Sequence, residues 1–183
     1  MKRQVLFIQG GGEDVHDSWD NHLVDSLASE LGDSYQIVYP RMPDEADPHY
    51  RPWAEAIGRE VGKLDDGAIV VGHSLGAMML IHAIAESSPN TKLGGLFLIA
   101  TPYVGKGGWP SDEIEERPAL GKDLPEDLIV RFYHGDADDE VPIEHDDLYR
   151  KAVPQAVVTT LKGRDHQLGN DLSDVAADIL TLG

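Results

Sequence analysis

Ser74 lies in the stretch "VVGHSLGAMM", flanked two residues away on each side by Gly72 and Gly76. An apolar run precedes this G-x-S-x-G pattern and an apolar segment of helical length follows it. Between a strand and a helix, that pattern describes a nucleophile elbow: a tight turn that presents the serine hydroxyl and crowds the backbone two residues either side. A serine hydroxyl attacks a carbonyl only when a base takes its proton. Of eight histidines, His166 in "KGRDHQLGN" follows the last apolar run, which would bring it to the sheet edge where Ser74 emerges. Its rivals read differently. His134 ends a strand and is read as loop support, His145 falls in a surface helix, and His73 adjoins Ser74 and should point elsewhere. An acid that orients the base belongs between serine and histidine in chain order. The loop "HGDADDEVP" offers Asp136, Asp138, Asp139 and Glu140; Asp138 is the first choice and Asp136 the second.

Two backbone amides must then receive the oxyanion. The amide of Leu75, after the serine, is one. The glycines of "IQGGGED" supply the other, with Gly11 preferred and Gly12 the alternative. Competing chemistries fit less well. Seven carboxylates between Asp136 and Asp147 also read as a solvated acidic face, and D-x-D-D-E resembles a calcium loop. Val141 stands where such a loop needs glycine, so no metal is expected. "GGGED" lacks the G-x-G-x-x-G spacing of a dinucleotide loop, and its acids would repel phosphate.

Elements able to position these groups alternate along the chain. Apolar runs at 4–10, 35–40, 68–72, 95–100, 128–134 and 156–162 read as strands. Segments at 19–31, 51–64, 75–87, 144–152 and 171–181 carry helical character. This alternation predicts an α/β fold, a parallel sheet with helices on both faces, in a single domain over 1–183. The segment 101–125 exceeds the usual connection length and reads as a lid or binding loop, with a short helix near 111–117. Its Tyr103 and Trp109, with Trp19, are candidates to line an apolar acyl pocket; core packing is the other reading of each.

Composition narrows the partners. A formal charge of −18 opposes nucleic acid, anionic membranes and polyanionic substrates, and favours neutral or cationic small molecules. Without cysteine there are no disulfides or thiolate metal sites. The amino-terminal apolar run is too short for a signal sequence, no stretch is long enough to span a membrane, and a cytoplasmic protein is expected. Oligomeric state is not readable.

Together "IQGGGEDVHDSW", "ADPHYRPWAEAI", "VVGHSLGAMM", "YHGDADDEVP" and "GRDH" resemble the α/β-hydrolase superfamily, and within it the small serine hydrolases related to retinoblastoma-binding protein 9. Gln9 departs from the pattern, standing where many members have the histidine of a His-Gly pair. The resemblance implies a compact three-layer fold with a six-stranded parallel sheet ordered 2-1-3-4-5-6, and a Ser74–His166–Asp138 triad. It implies a carboxylesterase-like serine hydrolase that acts on a small ester through an acyl-enzyme, without a cofactor. Thioesterase, amidase or peptidase activity on the same residues, and a non-catalytic binding protein, are the alternatives.

Overall fold

Six short runs rich in branched and aromatic residues form a single parallel sheet in a computed structural model that describes residues 2–182. Met1 and Gly183, included in the domain expected from sequence, lie outside the described residues. The strands are β1 (Arg3–Ile8), β2 (Tyr35–Val38), β3 (Ile69–His73), β4 (Gly95–Ile99), β5 (Val130–Gly135) and β6 (Val157–Leu161). Their order, β2-β1-β3-β4-β5-β6, is the one implied by the resemblance. Every residue of β3 and β4 is buried. Such strands need apolar side chains on both faces, which is why they read as continuous rather than alternating runs.

Alternate side chains divide the core into two layers. Val5, Phe7, Ile69, Val71, Phe97 and Ile99 pack under α1 (Asp20–Leu31) and α5 (Ser173–Leu180). Leu6, Ile8, Val70, Leu96, Leu98 and Phe132 face α2 (Tyr50–Val61), α3 (Ser74–Ser87) and α4 (His145–Ala152). Helix α3 is buried along nearly its whole length, covered by neighbouring helices and the long connection after β4.

That connection, 101–125, is ordered by its own apolar residues. Tyr103, Val104, Ile114, Leu120 and Leu124 are buried in the α2–α3–α4 layer. A helix near 111–117 does not form; the described chain there has only bends, and one short 3₁₀ turn follows at Leu120–Lys122. The stretch "SDEIEER" has a single apolar residue, Ile114, so a helix would have no stripe to bury.

The register sets the site. Ile8 pairs with Gly72, so the glycine loop after β1 emerges beside the turn after β3. Chain direction across the sheet reverses between these strands, the place where ligands gather in open parallel sheets.

Candidate functional site

The turn between β3 and α3 places Ser74 at φ 53°, in the left-handed region that a serine seldom occupies. Both flanking glycines are required by space. A Cβ on Gly72 would sit 2.7 Å from Ala77 Cα, and one on Gly76 only 1.9 Å from the carbonyl oxygen of Gln9. The G-x-S-x-G spacing therefore records two backbone approaches, one inside the elbow and one between α3 and the end of β1.

His166 and Ser74 line the same cavity, of about 180 Å³, with Gly10, Gly11, Trp19 and Glu140. Among the described residues no hydrogen bond joins Ser74 Oγ to His166. Such bonds are commonly long in unliganded sites. His166 Nδ1 lies 2.8 Å from Asp138 Oδ2. The other ring nitrogen, Nε2, lies 3.6 Å from the carboxylate of Glu140, which is 68% exposed.

Asp138 and His166 are 28 residues apart, and Gly135 lets their loops meet. A Cβ on Gly135 would fall 2.0 Å from Arg164 O, and Ala137 N donates to that same oxygen at 3.0 Å. The Asp138 side chain has 0% exposure. Its Oδ2 accepts from His166 Nδ1 and from His134 Nε2 at 3.1 Å; its Oδ1 accepts from the amides of Glu140 and Val141 at 2.8 and 2.9 Å. Burial works to raise its pKa, but the hydrogen bonds from His134, His166 and Val141 prevail and hold it well below the ordinary carboxylate value. Asp136 is turned the other way, exposed, accepting from the amide of Gly163.

The glycine loop is equally selective. Gly10 N donates to Asp20 Oδ2 at 2.7 Å and Gly12 N to Glu45 O at 2.6 Å. Between them, the amide of Gly11 has no hydrogen-bond partner among the described residues, and neither has that of Leu75 in the first turn of α3. The Leu75 side chain packs on the backbone of Gly11, where an added Cβ would lie 2.6 Å from Leu75 Cδ1. Gln9 points away from the cavity, fully buried, tying Met42 N and the Glu45 carboxylate.

Two buried histidines not assigned to the site by sequence support it. His73 Nδ1 lies 3.0 Å from the carboxylate of Asp20 and Nε2 3.0 Å from the carbonyl of His166. Burial opposes its charged form, but Asp20 outweighs this and raises its pKa. His134 bridges Asp138 and Asp146. His145, expected on a helix surface, is buried and accepts from Tyr103 N at 2.8 Å. No sequence signal marks Asp20 or Asp146 as their partners.

The aromatic candidates separate. Trp19, 58% exposed, lines the Ser74 cavity. Trp109 lines a second cavity, of about 170 Å³, with Leu75, Met78, Met79, Val104 and Ile114. Tyr103 is not among the residues lining either; it is buried edge-to-face on Tyr149, ring centres 5.2 Å apart. Its place in the loop suggested a pocket, but residues 101–104 are core.

Among the described residues no helix is long and apolar enough to cross a membrane. A sequence model of the alpha/beta hydrolase family matches residues 5–182. No curated protein sequence matches significantly. Among solved structures, a serine hydrolase involved in carbazole degradation superposes with TM-score 0.72 at 13% identity, covering 98% of this chain and 90% of that one. A deformylase from Pseudomonas putida S16 gives 0.70 at 12%, covering 98% and 92%. The thioesterase domain from the curacin biosynthetic pathway gives 0.68 at 16%, covering 98% and 91%. At such identities the likeness is one of fold.

Proposed function

The chain belongs to the alpha/beta hydrolase family, and from that premise we propose that it is a serine hydrolase cleaving a small carboxylic ester through an acyl-enzyme. Within the family we align it, on the motifs quoted above, with the small serine hydrolases related to retinoblastoma-binding protein 9. The observation that carries the reading is the Ser74 elbow opening into a cavity whose wall is His166, itself bonded through Nδ1 to the buried Asp138.

On this reading His166 Nε2 takes the Ser74 proton as Oγ bonds to the ester carbon, and the carbonyl electron pair moves to oxygen. The amides of Leu75 and Gly11 receive that oxyanion, each worth about 3–4 kcal/mol in the transition state. Collapse breaks the bond to the alcohol, which leaves with the proton from Nε2. A water then gives a proton to Nε2 and its oxygen to the acyl carbon, releasing the acid and restoring Ser74. Asp138 stays ionised throughout, fixing the imidazole tautomer and stabilising the imidazolium. Leu75, Met78, Met79 and Trp109 form the apolar wall for the acyl group, and the 101–125 segment is its cover. No cofactor enters, and the protein's charge favours neutral or cationic esters.

A fluorophosphonate probe tests the reading. Wild type should label covalently and Ser74→Ala should not. A folded wild type that stays unlabelled overturns the catalytic reading, and labelling that survives in Ser74→Ala overturns the nucleophile. A profile over p-nitrophenyl esters, thioesters and anilides then ranks ester against the other acyl substrates the same residues would serve.

A further inference from the structure

His134 has both ring nitrogens committed to oxygen acceptors. Nδ1 lies 2.8 Å from Asp146 Oδ1; Nε2 lies 3.1 Å from Asp138 Oδ2 and 3.0 Å from Val141 O. A neutral imidazole carries one N–H, and its other nitrogen would present a lone pair to a carboxylate or carbonyl oxygen. With only 1% of the side chain exposed, water cannot relieve that clash. The geometry therefore calls for the imidazolium. Asp146 is placed as its counter-charge. It is buried, and its Oδ2 has no hydrogen-bond partner among the described residues, an arrangement that a neutral amide would fill no worse. What Asp146 supplies to the pair is charge.

Asp138 Oδ2 is the oxygen shared by His134 Nε2 and His166 Nδ1. The order Asp146, His134, Asp138, His166 is thus a line of alternating partners running from α4 into the cavity. We propose that His134, held as an imidazolium by Asp146, is a positioning residue that fixes Asp138 for His166. This role rests on the serine-hydrolase reading; the charge state of His134 does not.

The groups facing His134 are few. Asp138 and the Val141 carbonyl come from the loop after β5, and Asp146 from the first turn of α4. His145 adjoins on the same helix; burial and the nearby charge of His134 both push its pKa down, so it adds no competing cation. Burial also works to lower the pKa of His134, but its hydrogen bonds to Asp138 and Asp146 prevail and push it up to about 9. Above that value the bridge loses a proton, and Asp138 or Asp146 loses its donor.

Two measurements on the intact protein test this. Ring ¹⁵N shifts of histidine-labelled protein read the His134 protonation state, and hydrolysis of p-nitrophenyl acetate gives kcat and KM against pH. In wild type His134 should be doubly protonated at neutral pH, with kcat falling at the midpoint where the ring titrates and KM unmoved. Asp146→Asn, which keeps the shape and removes the charge, should lower that midpoint by about one pH unit or more. Between the lowered midpoint and that of wild type, its kcat should be about tenfold below wild type. A singly protonated His134 in wild type at neutral pH overturns the proposal. So does a kcat profile of Asp146→Asn that follows wild type while the ring midpoint has moved, since His134 is then only structural. Should Asp146→Asn fail to fold, the wild-type midpoints decide: coincidence of ring and kcat transitions supports the role, and separation overturns it. A folded wild type that neither hydrolyses the ester nor labels with fluorophosphonate defeats the hydrolase reading itself, a failure the ring shifts distinguish from loss of the imidazolium.

Discussion

Two buried histidine–carboxylate pairs flank His166, and they hold different things. On the α1 side, His73 with Asp20 grips the main-chain carbonyl of His166, while Asp20 also takes the amide of Gly10. On the α4 side, His134 with Asp146 makes no hydrogen bond to His166 among the described residues and instead bonds the carboxylate that His166 also bonds. Both pairs cost desolvation energy that apolar packing would avoid. The first spends it on where three loops lie. The second spends it on how one side chain is held. A buried ion pair beside a reactive centre can therefore serve backbone position or side-chain state, and only its contacts tell which.

The difference yields graded expectations. Asp138→Asn, which strikes the oxygen shared by both histidines, should lower kcat on the order of 10⁴-fold in ester hydrolysis while circular dichroism stays native. A loss as large in Asp136→Asn would reverse the assignment of the acid. Asp20→Asn should act on folding, costing about 3–5 kcal/mol in urea denaturation because a buried partner is removed; a stable Asp20→Asn with kcat reduced tenfold or more would erase the distinction between the pairs. The His134 pKa is raised in the folded state, so its contribution to stability is full below the unfolded value near 6.5 and is lost as pH rises through about 9. Wild type should therefore lose stability over that window in excess of Asp146→Asn, as read by denaturation midpoints. The smallest effect belongs to Asp136→Asn, an exposed turn cap, whose stability should change by about 1 kcal/mol or less.

The sequence carried the frame of this molecule because its signals were local. Apolar runs at strand length, bounded by glycine and proline, are readable wherever both faces of a sheet are covered, and the six strands and their flanking helices fall where those runs lie. Gly72 and Gly76 were readable too, since spacing alone implies close backbone approach. The supporting histidines were not. His73 meets Asp20 across 53 residues of chain, and nothing in either type distinguishes a buried ion pair from a solvated residue. Surface-helix patterning misplaced His145, because the 101–125 segment folds over the start of α4 and covers it. The same covering explains Tyr103. Its hydrogen-bonded neighbourhood, with Tyr149 Oη donating to Pro102 O at 2.8 Å, makes it part of the core rather than of a cavity wall.

The three-glycine loop has a consequence for any molecule that enters. Gly10 is tied to Asp20 and Gly12 to Glu45, so the peptide between them is held on both sides. On the proposed reading, an acyl group arriving at Ser74 would bring its oxygen to Gly11 and Leu75, which would settle the plane of its carbonyl before any bond forms. Only one of the two faces of that carbonyl is then open to the serine. Esters with a stereocentre next to the carbonyl would thus be sorted by hand, through the rigidity of a loop that has no side chains.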